Sequence, residues 1–145
     1  MDFWTGNEAF ESYAICSAIL VIKMVLSAFY TGYQRSQGNS YASPEDAKLA
    51  GTELRESDSP EVARALRIQR NDVENIPAFF AIGLLYVLSG ASGFGAAVYC
   101  WTFTLARVGH TLAYARGMQP ARGILFGVGA LANLGMAVNV FWKNL

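Results

Sequence analysis

The sequence predicts an all-α protein that is embedded in a membrane as a four-helix bundle. Of its 145 residues, 53% are apolar and 15% are charged, whereas an average soluble domain has about 45–50% and about 25%. The apolar residues form four segments of about 20 residues, enough for a helix to cross a hydrocarbon core of about 30 Å. We expect one domain, with spans at about residues 12–34, 62–89 (including a cytosolic extension), 94–116 and 120–142 and a polar cytosolic loop at about 35–60.

The first apolar segment carries a lysine near its middle. A charge at that depth costs about 2.5–3.5 kcal/mol on insertion scales, and Lys23 is too far from either end to reach water easily. We therefore expect Lys23 to face the bundle interior and to meet a carboxylate or a ligand. The preceding residues are acidic (Asp2, Glu8 and Glu11) and lack the basic region of a secretory signal, so this segment is expected to remain in the mature protein.

Serine and proline residues mark the helix starts in and after the polar loop. Ser43 and Pro44 suit the N-cap and the first helical position, which predicts a short surface helix through Ala50. Ser59 or Pro60 begins a long helix whose first turns are polar. Past Glu74 that helix becomes the second span. The turn at 89–93 precedes the third span, and Pro120 suits the first position of the fourth.

Two of the predicted helices carry several polar residues on one face, within or next to a membrane span. Residues at i, i+3, i+4 and i+7 share one face of a helix. In the second span's polar turns this spacing joins Arg67, Arg70, Asn71 and Glu74; in the third span the spacing i, i+3, i+7 joins Arg107, His110 and Tyr114. Polar residues entering a membrane segment are expensive unless they bind something charged, so both faces are candidates for a binding site.

Small residues predict where the last two spans approach other helices closely. Gly109 and Ala113 are spaced i, i+4 in the third span, and the run 127–135 of the fourth span is rich in glycine and alanine. In lipid, small residues favour tight helix contacts. Cys16 and Cys100 lie inside apolar segments without metal-ligand spacing, so we interpret them as small core residues.

Lysine and arginine residues concentrate at one end of the predicted spans. The first and third loops carry them, whereas the N-terminal segment and the second loop carry none. The positive-inside rule therefore places the first and third loops in the cytosol and both termini on the opposite side. The residues behind this prediction are Arg35, Lys48, Arg55, Arg64, Arg67, Arg70, Arg116 and Arg122.

The charge distribution favours an anionic small molecule as ligand. The net charge is zero, so nothing indicates nucleic acid. No acidic residue follows Glu74, yet three arginines, a lysine and the chain's single histidine do. A single histidine excludes a multi-histidine metal site. Arginine forks suit carboxylates, and the residues alone indicate a membrane site for a small polyanion, a description that a lipid headgroup also satisfies.

Simpler explanations exist for several of these residues. Arg70 and Glu74 can form an ordinary i,i+4 ion pair, worth about 0.3–0.5 kcal/mol when exposed. His110 can be a hydrogen-bonded buried histidine, and we assign it to binding and not to proton transfer. Tyr114 can anchor the helix at the membrane interface.

Several separated motifs resemble one family. Along the chain these are VIKM (21–24), PEDA (44–47), Glu61-Val62 followed by RNDVENIP (70–77), and ARVGHTLAY (106–114). Together and in this order they resemble the MAPEG family, the membrane-associated proteins in eicosanoid and glutathione metabolism. The resemblance runs from about Tyr13 to Arg122 and is closest to the branch of microsomal glutathione transferases and microsomal prostaglandin E synthases. It implies a four-helix subunit, a homotrimer, and glutathione bound between neighbouring subunits near the cytosolic side.

The resemblance also implies roles for individual residues. Arg122 matches the arginine that stabilises the thiolate, Asp46 matches an aspartate proposed to assist the isomerase, and Lys23 matches a lysine of structural role. Arg107 matches an arginine of the third-helix motif, whose role is structural or directed at the substrate. The cofactor-binding candidates are Arg35, Arg67, Arg70, Asn71, Glu74, Arg107, His110, Tyr114 and Arg122.

Departures from the family pattern affect the predicted reaction. Gly123 and Phe126 stand where the prostaglandin synthase branch has a serine and a tyrosine, and Gln69 stands where it has a histidine. Residues 74–90 resemble the transferase branch more closely. We therefore favour conjugation of glutathione to hydrophobic electrophiles, with peroxidase activity as an addition, over isomerisation of a prostaglandin endoperoxide. A non-enzymatic scaffold would not need Arg122. The family implies the endoplasmic reticulum in a eukaryote, and a bacterial inner membrane stays open.

Overall fold

The computed structural model describes residues 6–54 and 57–145, and their regular secondary structure is helical. Asp2 and Arg55, which contribute to the topology prediction, lie outside the described residues. Within the described ranges no strand occurs, so the all-α prediction is confirmed. The helices are α1 (Glu8–Gly38), α2 (Pro44–Leu49), α3 (Pro60–Leu88), α4 (Gly93–Ala115) and α5 (Ala121–Lys143).

Side-chain caps determine where the helices begin. Ser43 and Ser59 cap α2 and α3, each followed by a proline in the first turn, as predicted. The Oδ1 of Asn7 accepts from the backbone N–H groups of Ala9 and Phe10, at 3.1 Å each. Helix α1 therefore starts before the predicted residue 12, because its cap and not its apolar content fixes the start. Pro120 lies at the cap position of α5, one residue before the helix.

Four long helices pack side by side, and α2 lies apart from them. Helix α1 packs on α3 and α4, and α5 packs on the same two helices. At the centre, the rings of Phe79 and Phe103 stack with their centroids 4.5 Å apart. Cys16 and Cys100 are both free and fully buried in this core, as their apolar surroundings predict.

Contacts near the helix ends show that sequential long helices run antiparallel. The Arg64 Nη1 donates to the Ala115 carbonyl oxygen at 3.1 Å, which joins the start of α3 to the end of α4. At the other end, Lys143 Nζ donates to the Gly90 carbonyl oxygen at 2.7 Å. One end of the helices, here called the arginine end, therefore collects Arg35, Arg64, Arg67, Arg70, Arg116 and Arg122.

The outer surface of the helices is strongly apolar. Large side chains such as Phe29, Phe94 and Leu131 are mostly exposed, far more than is usual for a soluble monomer. By length and composition, α1 and α5 are able to cross a membrane. Helices α3 and α4 do not reach the same hydropathy, so the four-span arrangement stays a prediction.

Candidate functional site

The outer face of α3 carries three of the four residues that the helical spacing joins. Arg67, Arg70 and Glu74 are exposed. The Nε of Arg70 lies 2.9 Å from Oε1 of Glu74, and the two side chains are 81% and 55% exposed. The simple i,i+4 ion pair is therefore present in the single chain. Because such an exposed pair is worth only about 0.3–0.5 kcal/mol, an incoming carboxylate can separate it at little cost.

Asn71, the fourth residue of that set, lies between the exposed face and the core. Its side chain is half-buried, and its Oδ1 accepts a hydrogen bond from Nη2 of Arg107 on α4. Its backbone carbonyl oxygen accepts from Nδ2 of Asn75 at 2.7 Å. The helical spacing therefore grouped the four residues correctly along α3, but three of the side chains are exposed to solvent whereas Asn71 contacts α4.

A buried ion pair forms at Asp72, the residue that follows Asn71 on α3. The Nζ of Lys23 is 2.5 Å from Oδ1 of Asp72, and the Oγ of Ser27 donates to the other carboxylate oxygen at 3.1 Å. The prediction that Lys23 faces inward and meets a carboxylate is confirmed.

Sequence reasoning did not single out Asp72, although a signal was present. Asp72 follows Ile68 by four residues and precedes Ile76 by four, and all three are buried. An acid within the buried stripe of one helix requires a partner. Lys23 occupies the corresponding stripe of α1, so the two charges were candidates for each other.

An aromatic and cationic stack joins α4 to the start of α5. The His110 and Tyr114 rings are 5.7 Å apart, and the Cζ of Arg122 lies 4.5 Å from the centre of the Tyr114 ring. With the Gln119 amide oriented so that its oxygen faces the guanidinium, that oxygen lies 3.0 Å from Nε of Arg122. A cation over an aromatic face is held by the ring quadrupole. The arrangement fixes Arg122, and the residue as a whole stays partly exposed.

The remaining candidates lie apart from this stack in the single chain. Arg35 is partly buried, and its Nη2 is 3.8 Å from Oδ1 of Asp58. Asp46 is exposed on α2, and within residues 6–54 and 57–145 its carboxylate makes no hydrogen bond or ion pair. Among these residues no contact supports the catalytic role suggested for Asp46, and that role stays a prediction.

Arg107 faces the core and not the exposed surface. It is only 1% exposed, and His110 beside it is 3% exposed. A guanidinium in this position meets Asn71 and lies near the Lys23–Asp72 pair. In the single chain Arg107 thus contacts Asn71 and is shielded from solvent, and its place among the cofactor-binding candidates stays a prediction.

An apolar cavity of about 310 Å³ lies between α1, α3 and α4. Its walls include Leu26, Tyr30, Val108 and Leu112, and Lys23 and Ser27 of the polar network also line it. This volume is at the lower end of the usual range for small-molecule pockets, about 300–1,000 Å³. The helices thus leave apolar space close to the polar network.

Comparison with known proteins gives a consistent family. The sequence profile of the MAPEG family matches residues 13–142. Prostaglandin E synthase of Homo sapiens is 36% identical over 140 residues, which cover 95% of this chain and 91% of that protein. Microsomal glutathione S-transferase 1 of Rattus norvegicus is 37% identical over 146 residues, covering 96% and 93%. The resemblance inferred from the motifs is confirmed, and the chain belongs to the MAPEG family.

Proposed function

We propose that this chain is a membrane-embedded enzyme that binds glutathione at the arginine end and stabilises its thiolate with Arg122. The observation that carries the proposal is the position of Arg122, held over Tyr114 beside His110 while still partly accessible. One relative is named for glutathione transfer and others for prostaglandin E synthesis. All are named as enzymes.

The residues of the arginine end fit the chemistry of glutathione, which has two carboxylates, an ammonium group and a thiol. Exposed arginine forks match carboxylates, and Arg67 has no carboxylate partner among the described residues. Glu74 matches the ammonium group, because its own partner Arg70 is exposed and easily displaced. Asn71 matches a peptide or carboxylate oxygen. Arg35, His110 and Tyr114 complete the proposed binding set.

Arg122 supplies the chemistry in this proposal. A free thiol has a pKa of about 8.5, and a neighbouring cation favours the thiolate. Conjugation then forms a carbon–sulfur bond while the leaving group departs with its bonding electron pair, and the thiol proton passes to solvent. The apolar cavity between α1 and α4 supports entry of a hydrophobic electrophile from between the helices.

The proposal includes a membrane assembly. All four long helices cross the membrane, three copies associate, and glutathione lies between neighbouring copies near the cytosolic side. In a eukaryote the membrane is that of the endoplasmic reticulum, where such an enzyme serves detoxification or eicosanoid metabolism. The extensive exposed apolar surface supports contact with lipid and with other copies.

Conjugation of glutathione to a generic aryl halide by the detergent-purified protein tests the proposal. We expect wild-type protein to form the conjugate. Arg122→Ala should lower kcat about 100-fold, as removal of one charge-stabilising donor typically does, with a much smaller change in glutathione affinity. Arg116→Ala is the control, because Arg116 is an exposed arginine of the same end outside the proposed site. A loss of glutathione affinity in Arg122→Ala with kcat unchanged at saturating glutathione would show that Arg122 serves binding alone.

Isomerisation of a prostaglandin endoperoxide is the second candidate reaction. Relatives named prostaglandin E synthase are as similar to this chain as the transferase is, at 36% and 37% identity. In this reaction the oxygen–oxygen bond breaks to give a ketone and a hydroxyl group, and glutathione is regenerated. Isomerised product without net loss of glutathione, and no aryl conjugate, would assign the chain to this reaction.

A further inference from the structure

We infer that Arg107 is a positioning residue: it fixes the amide of Asn71 so that Asn71 presents its Nδ2 donor to an oxygen of glutathione. The inference rests on the proposed function. In this inference Arg107 does not contact the ligand directly. Asn71 contacts it as a hydrogen-bond donor to a carbonyl or carboxylate oxygen.

The orientation of the Asn71 amide follows from the chemistry of its partner. A guanidinium has five N–H donors and no acceptor. Arg107 Nη2 donates to Oδ1 of Asn71, and the reversed amide would place an NH₂ group against these donors. The guanidinium therefore strongly favours one orientation of the Asn71 amide. Arg107 is only 1% exposed, so water does not compete for this hydrogen bond.

The other end of the amide is available to a ligand. Among the described residues, nothing accepts a hydrogen bond from Nδ2 of Asn71, and this atom is not among the buried unpaired polar atoms. Asn71 is half-buried next to the exposed Arg70 and Glu74. Its Nδ2 is thus a donor at the border of the face that we propose for glutathione.

The energetics of Arg107 favour a functional over a stabilising role. Its Nε is buried without a hydrogen-bond partner among the described residues. It shares its surroundings with the cation of Lys23 and the single carboxylate of Asp72, so two buried cations face one buried anion. A buried charge with incomplete partners costs stability. A protein that needed only a filled core here would be at least as stable with an apolar side chain.

Two variants test the inference through equilibrium binding of reduced glutathione. Asn71→Asp keeps an acceptor for Arg107 and adds an ion pair, so we expect it to fold, but it turns an oxygen towards the ligand oxygen. Its affinity should fall by about tenfold, the loss expected for one good hydrogen bond. Arg107→Met frees the amide to rotate, so its affinity should lie between those of wild type and Asn71→Asp.

Stability and kinetics separate positioning from a structural role. For Arg107→Met we expect an unfolding temperature equal to or above that of wild type, together with a raised KM for glutathione and a kcat within about twofold. Arg116→Met is the matched control, because Arg116 is an exposed arginine at the C-cap of α4. This variant should bind glutathione like wild type.

The outcomes are distinct for the two proposals. Wild-type affinity in either Asn71→Asp or Arg107→Met overturns the inference while leaving the proposed function intact. So does a lowered unfolding temperature of Arg107→Met combined with loss of kcat. Failure of wild-type protein to bind glutathione overturns the proposed function itself. If Arg107→Met does not fold, Asn71→Asp alone decides.

Discussion

At the scale of single residues, the Lys23–Asp72 pair explains how two charges persist inside an apolar core. Each charge alone would be costly at this depth. The 2.5 Å contact and the Ser27 hydroxyl satisfy the carboxylate from two sides. The pair joins α1 to α3 at the residue that follows Asn71, and so it holds the helix that carries the proposed binding residues.

Asp72→Asn should destabilise the protein strongly. It leaves the buried ammonium group of Lys23 without a counter-charge, and breaking a buried pair in this way typically costs about 3–5 kcal/mol. Thermal or denaturant unfolding in detergent measures the change. The double variant Lys23→Leu/Asp72→Leu also removes the buried ammonium group and should recover part of the loss. The remainder persists because the buried guanidinium of Arg107 lacks the Asp72 carboxylate in both variants.

The surface pair Arg35–Asp58 provides the comparison. Its atoms are 3.8 Å apart and both side chains are partly exposed, so Asp58→Asn should cost less than about 1 kcal/mol. Similar effects for Asp72→Asn and Asp58→Asn would mean that the inner pair is hydrated and not part of a dry core.

At the scale of helices, sequence patterns predicted the elements well because their causes are local. The N-caps at Ser43 and Ser59 and the positions of four long helices follow from short-range chemistry and hydropathy. Helix α1 extends beyond its apolar segment because Asn7 caps its start and Asn39 adopts a left-handed conformation (φ 45°) at its end. Apolar length alone carries no information about such caps.

The register between helices was not predictable in the same way. Periodicity placed Asn71 and Arg107 on promising faces of α3 and α4, but it gave no indication that the two side chains meet. It also grouped Asn71 with Arg67, although one turns towards α4 and the other to solvent. The spacing of one helix defines an angle around its own axis, whereas a site depends on how that axis is rotated against its neighbours.

Glycines in the last helix make the α4–α5 contact possible. The run 127–135 was predicted to pack closely, and a Cβ added at Gly135 would lie 2.5 Å from Cε1 of Tyr99. The Tyr99 ring is in turn held edge-on against Tyr86, with centroids 5.6 Å apart. Gly135→Ala should therefore push α5 away from α4 and cost about 1–3 kcal/mol, as overpacking does.

Gly127→Ala on the same helix is the control for this effect. A Cβ at Gly127 would meet nothing within 4 Å, so this change should leave stability unchanged or raise it by up to about 1 kcal/mol through helix propensity. Unfolding in detergent compares the two variants. Equal effects would indicate that helix propensity, and not contact with Tyr99, governs this part of α5.

At the scale of the whole molecule, the mean hydropathy of a helix does not describe its outer surface, because several polar residues are buried between helices. Helix α4 contains Arg107 and His110, which lower its mean hydropathy, yet both are buried against other helices. Its outward residues include Phe94, Leu105 and Leu112. Lipid meets only the outer face of a helix. For this reason we expect α4, and α3 with it, to cross the membrane, although composition alone supports only α1 and α5.

Labelling of single introduced cysteines with a membrane-impermeant maleimide, in sealed vesicles that enclose the cytosolic face of the membrane, tests this topology. Ser57→Cys, Phe94→Cys and Leu145→Cys report on the first loop, the α3–α4 turn and the C-terminus, and all three positions are exposed. The native Cys16 and Cys100 are fully buried and supply a low background.

Four spans with the arginine end in the cytosol predict labelling of Phe94→Cys and Leu145→Cys from outside, and of Ser57→Cys only after permeabilisation. If only α1 and α5 crossed, Phe94→Cys would behave like Ser57→Cys, because no span would separate them. The inverted pattern, with Ser57→Cys alone labelled from outside, would keep four spans but place the arginine end on the external side, away from cytosolic glutathione.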